Sequence, residues 1–132
     1  MSTFHAQAWP LLCSVCGGHA HVTIAIVKMV RFDEIRNILV DAGFDDASVL
    51  LAFAISIELV GGVMLGLGYQ VRIAAAGLLA YLAALTVLIH ADVALSQNVA
   101  NLASTAGLLM VIAQGSGPFS VEGLVERRRA TG

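Results

Sequence analysis

Glu58 stands ten positions from either end of the apolar run Ser48–Gly68 and is the one charged residue in it. At 1.5 Å per helical residue it lies about 15 Å from each end. A carboxylate at that depth in a bilayer costs several kcal/mol unless it is paired, protonated or facing a wet cavity. The same depth arithmetic, applied to three other apolar runs, brings His19 or His21, then Tyr81, then Asn101, Ser104 or Thr105 to a common level. One reading is a small-ligand or proton site at the midplane, with Glu58 as acceptor and a histidine as partner. The other is hydrogen-bond glue that fixes helix rotation and needs no ligand.

Lys28 sits near the end of the first run. There its ammonium is expected to snorkel to the interface. Pairing with Glu58 is disfavoured by a depth difference on the order of 10 Å, which only a tilted or extended first helix would reduce. His90 and Asp92 share that end with Lys28 and can form a polar mouth, or simply be solvated. Cys13, Cys16, His19 and His21 hold two thiols and two imidazoles within nine positions, the donor types of a metal or dithiol site. On a regular helix, however, they spread over more than half the circumference, and only a break at Gly17-Gly18 would let them converge. No metal site is therefore assigned. A haem-attachment motif needs His directly after the second Cys, and Gly17 stands there. Glycine-rich phosphate loops, Gly-x-Ser-x-Gly and metalloprotease His-Glu pairs are absent from the sequence.

The elements that must carry these residues follow from composition. Of 132 residues, 58% are apolar and 12% charged, with a mean hydropathy of +0.87. An average soluble domain is about a quarter charged, so too few polar residues exist to cover a small globule and lipid must solvate much of the surface. The length allows one domain. Net charge is −2, which gives no basic footprint for nucleic acid. The first ten residues lack Lys and Arg, so the first apolar run is expected to be retained rather than cleaved as a signal peptide.

A span needs about 20 apolar residues, and four runs approach this: Trp9–Val30, Ser48–Gly68, Val71–Ile89 and Ala94–Ala113. The expected fold is an all-α membrane protein, a four-transmembrane-helix antiparallel bundle. Between the first two spans, residues 31–42 place Phe32, Ile35, Ile38, Leu39 and Ala42 at helical spacing, which predicts a short interfacial helix stopped at Gly43. Residues 119–129 form a short amphipathic tail. Gly62 and Gly66, and Ala76, Ala80 and Ala84, are small-residue faces suited to close helix contact. Arg72 and Arg127–Arg129 fall on one side and Lys28, Arg31 and Arg36 on the other, four against three, which favours both termini in the cytoplasm.

The run Ile57-Glu58-Leu59-Val60-Gly61-Gly62-Val63-Met64-Leu65-Gly66-Leu67-Gly68, followed by Arg72-Ile73-Ala74-Ala75 and Leu88-Ile89-His90, resembles the DoxX family of small bacterial membrane proteins. The close Gly115-Ser116-Gly117-Pro118-Phe119 is similar to the family's ending, and Lys28 falls where the family carries a lysine after its first helix. The resemblance spans roughly Lys28 to Leu124. In place of the family's arginine-bearing first helix stands the Cys13–His21 cluster. The resemblance implies membership of redox assemblies such as a thiosulfate:quinone oxidoreductase, with quinone as the cofactor it suggests and location in the bacterial inner membrane. The expected function is thus an accessory membrane subunit of a redox, quinone-linked complex, without catalysis on its own. Its partners would be the lipid bilayer and other membrane or redox subunits, or further copies of itself. Alternatives are a purely structural anchor and a small-molecule transporter, the latter disfavoured because no inverted repeat or broken helix pair is visible.

Overall fold

A computed structural model describes residues 2–88, 95–115, 117 and 120–130, so the expected polar mouth at His90 and Asp92 lies outside the described residues. Among the described residues the chain forms six helices and no strand: α1 (Ser2–Val30), α2 (Phe32–Asp41), α3 (Ala47–Leu67), α4 (Val71–Leu88), α5 (Leu95–Gln114) and α6 (Val121–Ala130). The four long helices coincide with the four apolar runs to within two residues, except that α1 begins seven residues earlier than Trp9 and continues through Pro10. Two stretches, Leu12–Val30 and Ala47–Leu67, are long and apolar enough to cross a membrane; Val71–Val87 and Asn101–Gln114 are apolar but shorter.

The connections are tight. Gly68 caps α3 in the left-handed conformation (φ 65°), and the amides of Gly68 and Tyr69 return to the carbonyls of Leu65 and Met64. A side chain at Gly68 would be strained there, so glycine is what lets α4 start after two further residues. The amide of Glu122 donates to the Gly68 carbonyl (3.2 Å), tying α6 to the same turn. Ser120 caps α6 by accepting from the Gly123 amide at 3.1 Å.

Packing divides into two apolar clusters. One joins α3, α4 and α5 through Leu65, Val71, Ala75, Leu78, Leu108 and Val111. The other joins α1, α2 and α3 through Ala25, Leu39, Ala47, Leu51 and Ile55. Phe32 and Ile35 pack against the second cluster, but Ile38 and Ala42 turn outward, so only part of the expected apolar face of α2 is docked. Outside the clusters, the helices present large exposed hydrophobics such as Val30, Phe53, Val60, Ile73, Val87 and Leu102. Such a continuous apolar exterior is uncommon on soluble monomers and suits a lipid solvent.

α1 and α3 meet most closely. A Cβ on Gly18 would fall 2.5 Å from the Gly62 carbonyl oxygen and 2.8 Å from the Gly66 Cα. Only hydrogen fits, and that absence of a side chain lets the two backbones touch. Near this crossing the buried Ser14 Oγ donates to the Leu65 carbonyl at 2.5 Å. The pairs Ser14–Leu65 and Gly18–Gly62 fix an antiparallel register.

Candidate functional site: a buried lysine, glutamate and tyrosine

The register of α1 on α3 decides what Glu58 meets. Val22 lies against Gly62 and Ala25 packs with Ile55, which puts Glu58 level with the turn between them. Lys28 therefore stands about one turn, roughly 5 Å, beyond Glu58. The Cα–Cβ bond of a helical residue tilts toward the helix N-terminus, so the lysine stem points back toward the glutamate. Lys28 Nζ donates to Glu58 Oε1 at 2.8 Å and to Tyr81 Oη at 3.0 Å. The expectation that Lys28 and Glu58 lie too far apart in depth to pair is overturned. α1 starts earlier and is longer than the span assumed for the depth estimate, and its register is set by Gly18, not by centring the apolar run.

Glu58 is 3% exposed and the Lys28 side chain 21%. A charge pair this deep is held together by low dielectric, and either charge alone would be costly. Lys28 comes from α1, Glu58 from α3 and Tyr81 from α4, so three helices are cross-linked between the two apolar clusters.

His21, Lys28, Glu58, Tyr81, Asn101 and Ser104 line one cavity of about 420 Å³. The structure thus assembles most of the polar level expected from sequence, from α1, α3, α4 and α5. His19 is exposed and Thr105 does not line the cavity. Two buried polar atoms there lack a hydrogen-bond partner, His21 Nδ1 and Glu58 Oε2. Buried polar atoms are rarely left unpaired, because each costs about 1–3 kcal/mol. Beside this cavity lies an apolar slot of about 290 Å³, walled by Leu50, Leu51, Phe53, Ala54 and Ala84. Lys28, Ile35, Tyr81 and Leu85 line both spaces. Sequence reading did not find the slot, whose walls are ordinary core-type residues.

The Cys/His cluster does not come together. α1 is unbroken at Gly17-Gly18, with His21 buried while Cys16 and His19 are exposed and Cys13 packs against the α3–α5 core. Among the described residues no three His, Cys, Asp or Glu side chains are grouped to hold a metal ion. For a quinone, the requirements are donors for its carbonyl oxygens and apolar walls for its ring. Lys28, Tyr81 and the adjoining slot have that chemistry, so the residues present fit such a group.

Among the described residues the chain is all-helical, with an apolar exterior, two helices long and apolar enough to cross a membrane and a charge pair buried between helices. The DoxX family profile matches residues 15–91, more than half of the chain, and the chain belongs to the DoxX family. That match extends back into α1, ahead of Lys28. Comparison with curated proteins and with solved structures returned no match.

Proposed function

We propose that this chain is an integral membrane subunit of a larger redox assembly, with the Lys28–Glu58–Tyr81 cavity as a site for a quinone-type head group. In this reading α1, α3, α4 and α5 all cross the bacterial cytoplasmic membrane, α2 lies at the outer interface and both termini are cytoplasmic. The apolar faces of α4 and α5 then meet neighbouring subunits or further copies of the chain. A quinone bound here would exchange electrons delivered by a partner subunit. The chain's own residues would orient the head group through Lys28 and Tyr81, and hold or pass a proton at Glu58 Oε2.

The observation that carries the reading is the cavity lined by Lys28, Glu58 and Tyr81 with His21, Asn101 and Ser104, beside an apolar slot that shares Lys28 and Tyr81. Polar glue between helices satisfies its own groups. Here Glu58 Oε2 and His21 Nδ1 stay buried and unpaired on residues that line a space large enough for a ligand head. Native mass spectrometry of the assembly extracted from its own membrane tests this directly. Co-purification with a dehydrogenase or cytochrome, or a retained quinone mass, is the expected result. A lone chain without bound mass, or a Glu58→Gln assembly with unchanged electron transfer to quinone, would refute it.

A further inference from the structure

The amphipathic tail folds as α6, and its faces are reversed from those of a helix docked on a water-soluble core. Glu122, Gly123 and Glu126 line a polar cavity of about 320 Å³ together with Arg72 at the start of α4 and Gln114 at the end of α5. Val121, Leu124 and Val125 lie on the other side at i, i+3 and i+4, and are 40%, 55% and 41% exposed. Among the described residues, neither apolar cluster includes a member of α6. A surface helix of a globular protein turns its apolar stripe to the core. Here the carboxylates take that place and the stripe faces outward.

Basic charge is added to the same outward face. Arg128 and Arg129 stand one turn beyond Leu124 and Val125, and Arg127 beside them completes a basic last turn. Arginines at a helix C-terminus complement the macrodipole, but that effect asks for no apolar stripe. The level of α6 along the bundle explains the combination. Its first turn is tied to the end of α3 through the Glu122 amide and the Gly68 carbonyl. The Ser14–Leu65 contact brings the N-terminal part of α1 to that same end. Trp9 and Tyr69, 56% and 46% exposed, both lie within about two helical turns of it. Exposed Trp and Tyr beside apolar spans mark the head-group level of a bilayer.

We propose that α6 is an interfacial helix that lies on the leaflet at this end of the bundle and selects anionic phospholipid. Val121, Leu124 and Val125 enter among the upper acyl chains, and Arg127, Arg128 and Arg129 hold the phosphates of negatively charged head groups. A zwitterionic leaflet would accept the stripe but offer the arginines no net charge, whereas an anionic one meets both. The planar guanidinium fork matches phosphate oxygens in pairs. This placement requires a membrane-spanning bundle and no ligand in the Lys28–Glu58–Tyr81 cavity.

The test uses the full chain in lipid nanodiscs, with Leu124→Trp as reporter in a Trp9→Phe background, which removes the one native indole. Quenching is measured with phosphatidylglycerol or phosphatidylcholine brominated high on the acyl chains, as the brominated fraction is varied. The reporter is expected to be quenched by both lipids, with relative binding favouring phosphatidylglycerol about fivefold or more. Replacing Arg127, Arg128 and Arg129 together by Gln should bring that ratio close to one, and high salt should lower it in the parent. A reporter that neither lipid quenches and aqueous iodide does would overturn the leaflet placement. Shielding of the reporter only in the assembly extracted from its own membrane would overturn it in favour of a protein partner. Equal preference for the two lipids in the parent would overturn the anionic selection, and a ratio unchanged in the triple variant would overturn the role of the arginines. None of these outcomes bears on quinone binding, which the retained mass reads separately.

Discussion

Lys28 Nζ lies 2.8 Å from Glu58 Oε1, and this contact joins two helices whose linear sequence separates the partners by thirty positions. The pair is shielded from solvent and capped by Tyr81, which receives a second lysine hydrogen bond at 3.0 Å. Its ring also lies within cation–π range, with Nζ 5.5 Å from the centroid.

Because each charge depends on the other, removing one should harm stability more than removing both. Lys28→Met and Glu58→Gln are each expected to destabilise the chain by about 3–5 kcal/mol by leaving an unpaired buried group. The double variant should recover a large part of that loss. Thermal unfolding in a fixed detergent reads all four corners of the cycle, and additive losses would show that the two residues do not act as a pair.

Tyr81→Phe removes only the hydroxyl that accepts from Lys28 Nζ. A hydrogen bond to a charged donor is worth about 1.5–3 kcal/mol, so a loss of that order is expected in the same assay. If the variant were as stable as the parent, the tyrosine hydroxyl would not be supporting the pair.

The helix crossing predicts a contrast between glycines. Gly18→Ala must push α1 off α3, because its Cβ would sit 2.5 Å from the Gly62 carbonyl oxygen, and a cost of about 1–3 kcal/mol or more is expected. Gly66→Ala and Gly17→Ala meet nothing within 4 Å and should be tolerated. Equal sensitivity at all three positions would argue against this crossing.

Arg31 and Glu34 form an exposed ion pair at the start of α2. The guanidinium's hydrogen bond to the carboxylate holds Glu34 below its ordinary value of 4.5 and raises Arg31 above its own. A lowered carboxyl contributes stability that is present above 4.5 and lost as pH falls through the depressed folded value. Titration of the Glu34 carboxyl carbon by NMR should therefore show a low midpoint that rises in Arg31→Ala. An unchanged midpoint would mean that the pair is not formed in solution.

Cys16 is exposed on α1, within the stretch Leu12–Val30 that can cross a membrane. If that exterior meets lipid, a charged maleimide should leave Cys16 unmodified in sealed or leaky vesicles and label it once the chain is denatured. Rapid labelling in leaky vesicles would place this face of α1 in water.

The sequence by itself determined the membrane class and the long helices, with their ends to within two residues except the start of α1. Runs of Leu, Ala, Val and Ile near the bilayer length leave the backbone no choice but helix, and Gly43 and Gly68 mark stops where the left-handed conformation is needed. It also singled out Glu58, since a lone acid in an apolar run is costly wherever the helix packs. What it did not contain was rotation and register. When lipid is as apolar as the core, hydrophobic periodicity barely distinguishes inside from outside, so neither the choice of His21 over His19 nor the outward turn of Ile38 could be read from pattern. Those were decided by shape: Gly18 against Gly62 and Gly66 is where two backbones can touch, and this contact slides α1 along α3 until the lysine stem reaches Glu58. The slot beside Tyr81 exists for the same reason, as the space left where α2, α3 and α4 diverge around residues that individually signal nothing.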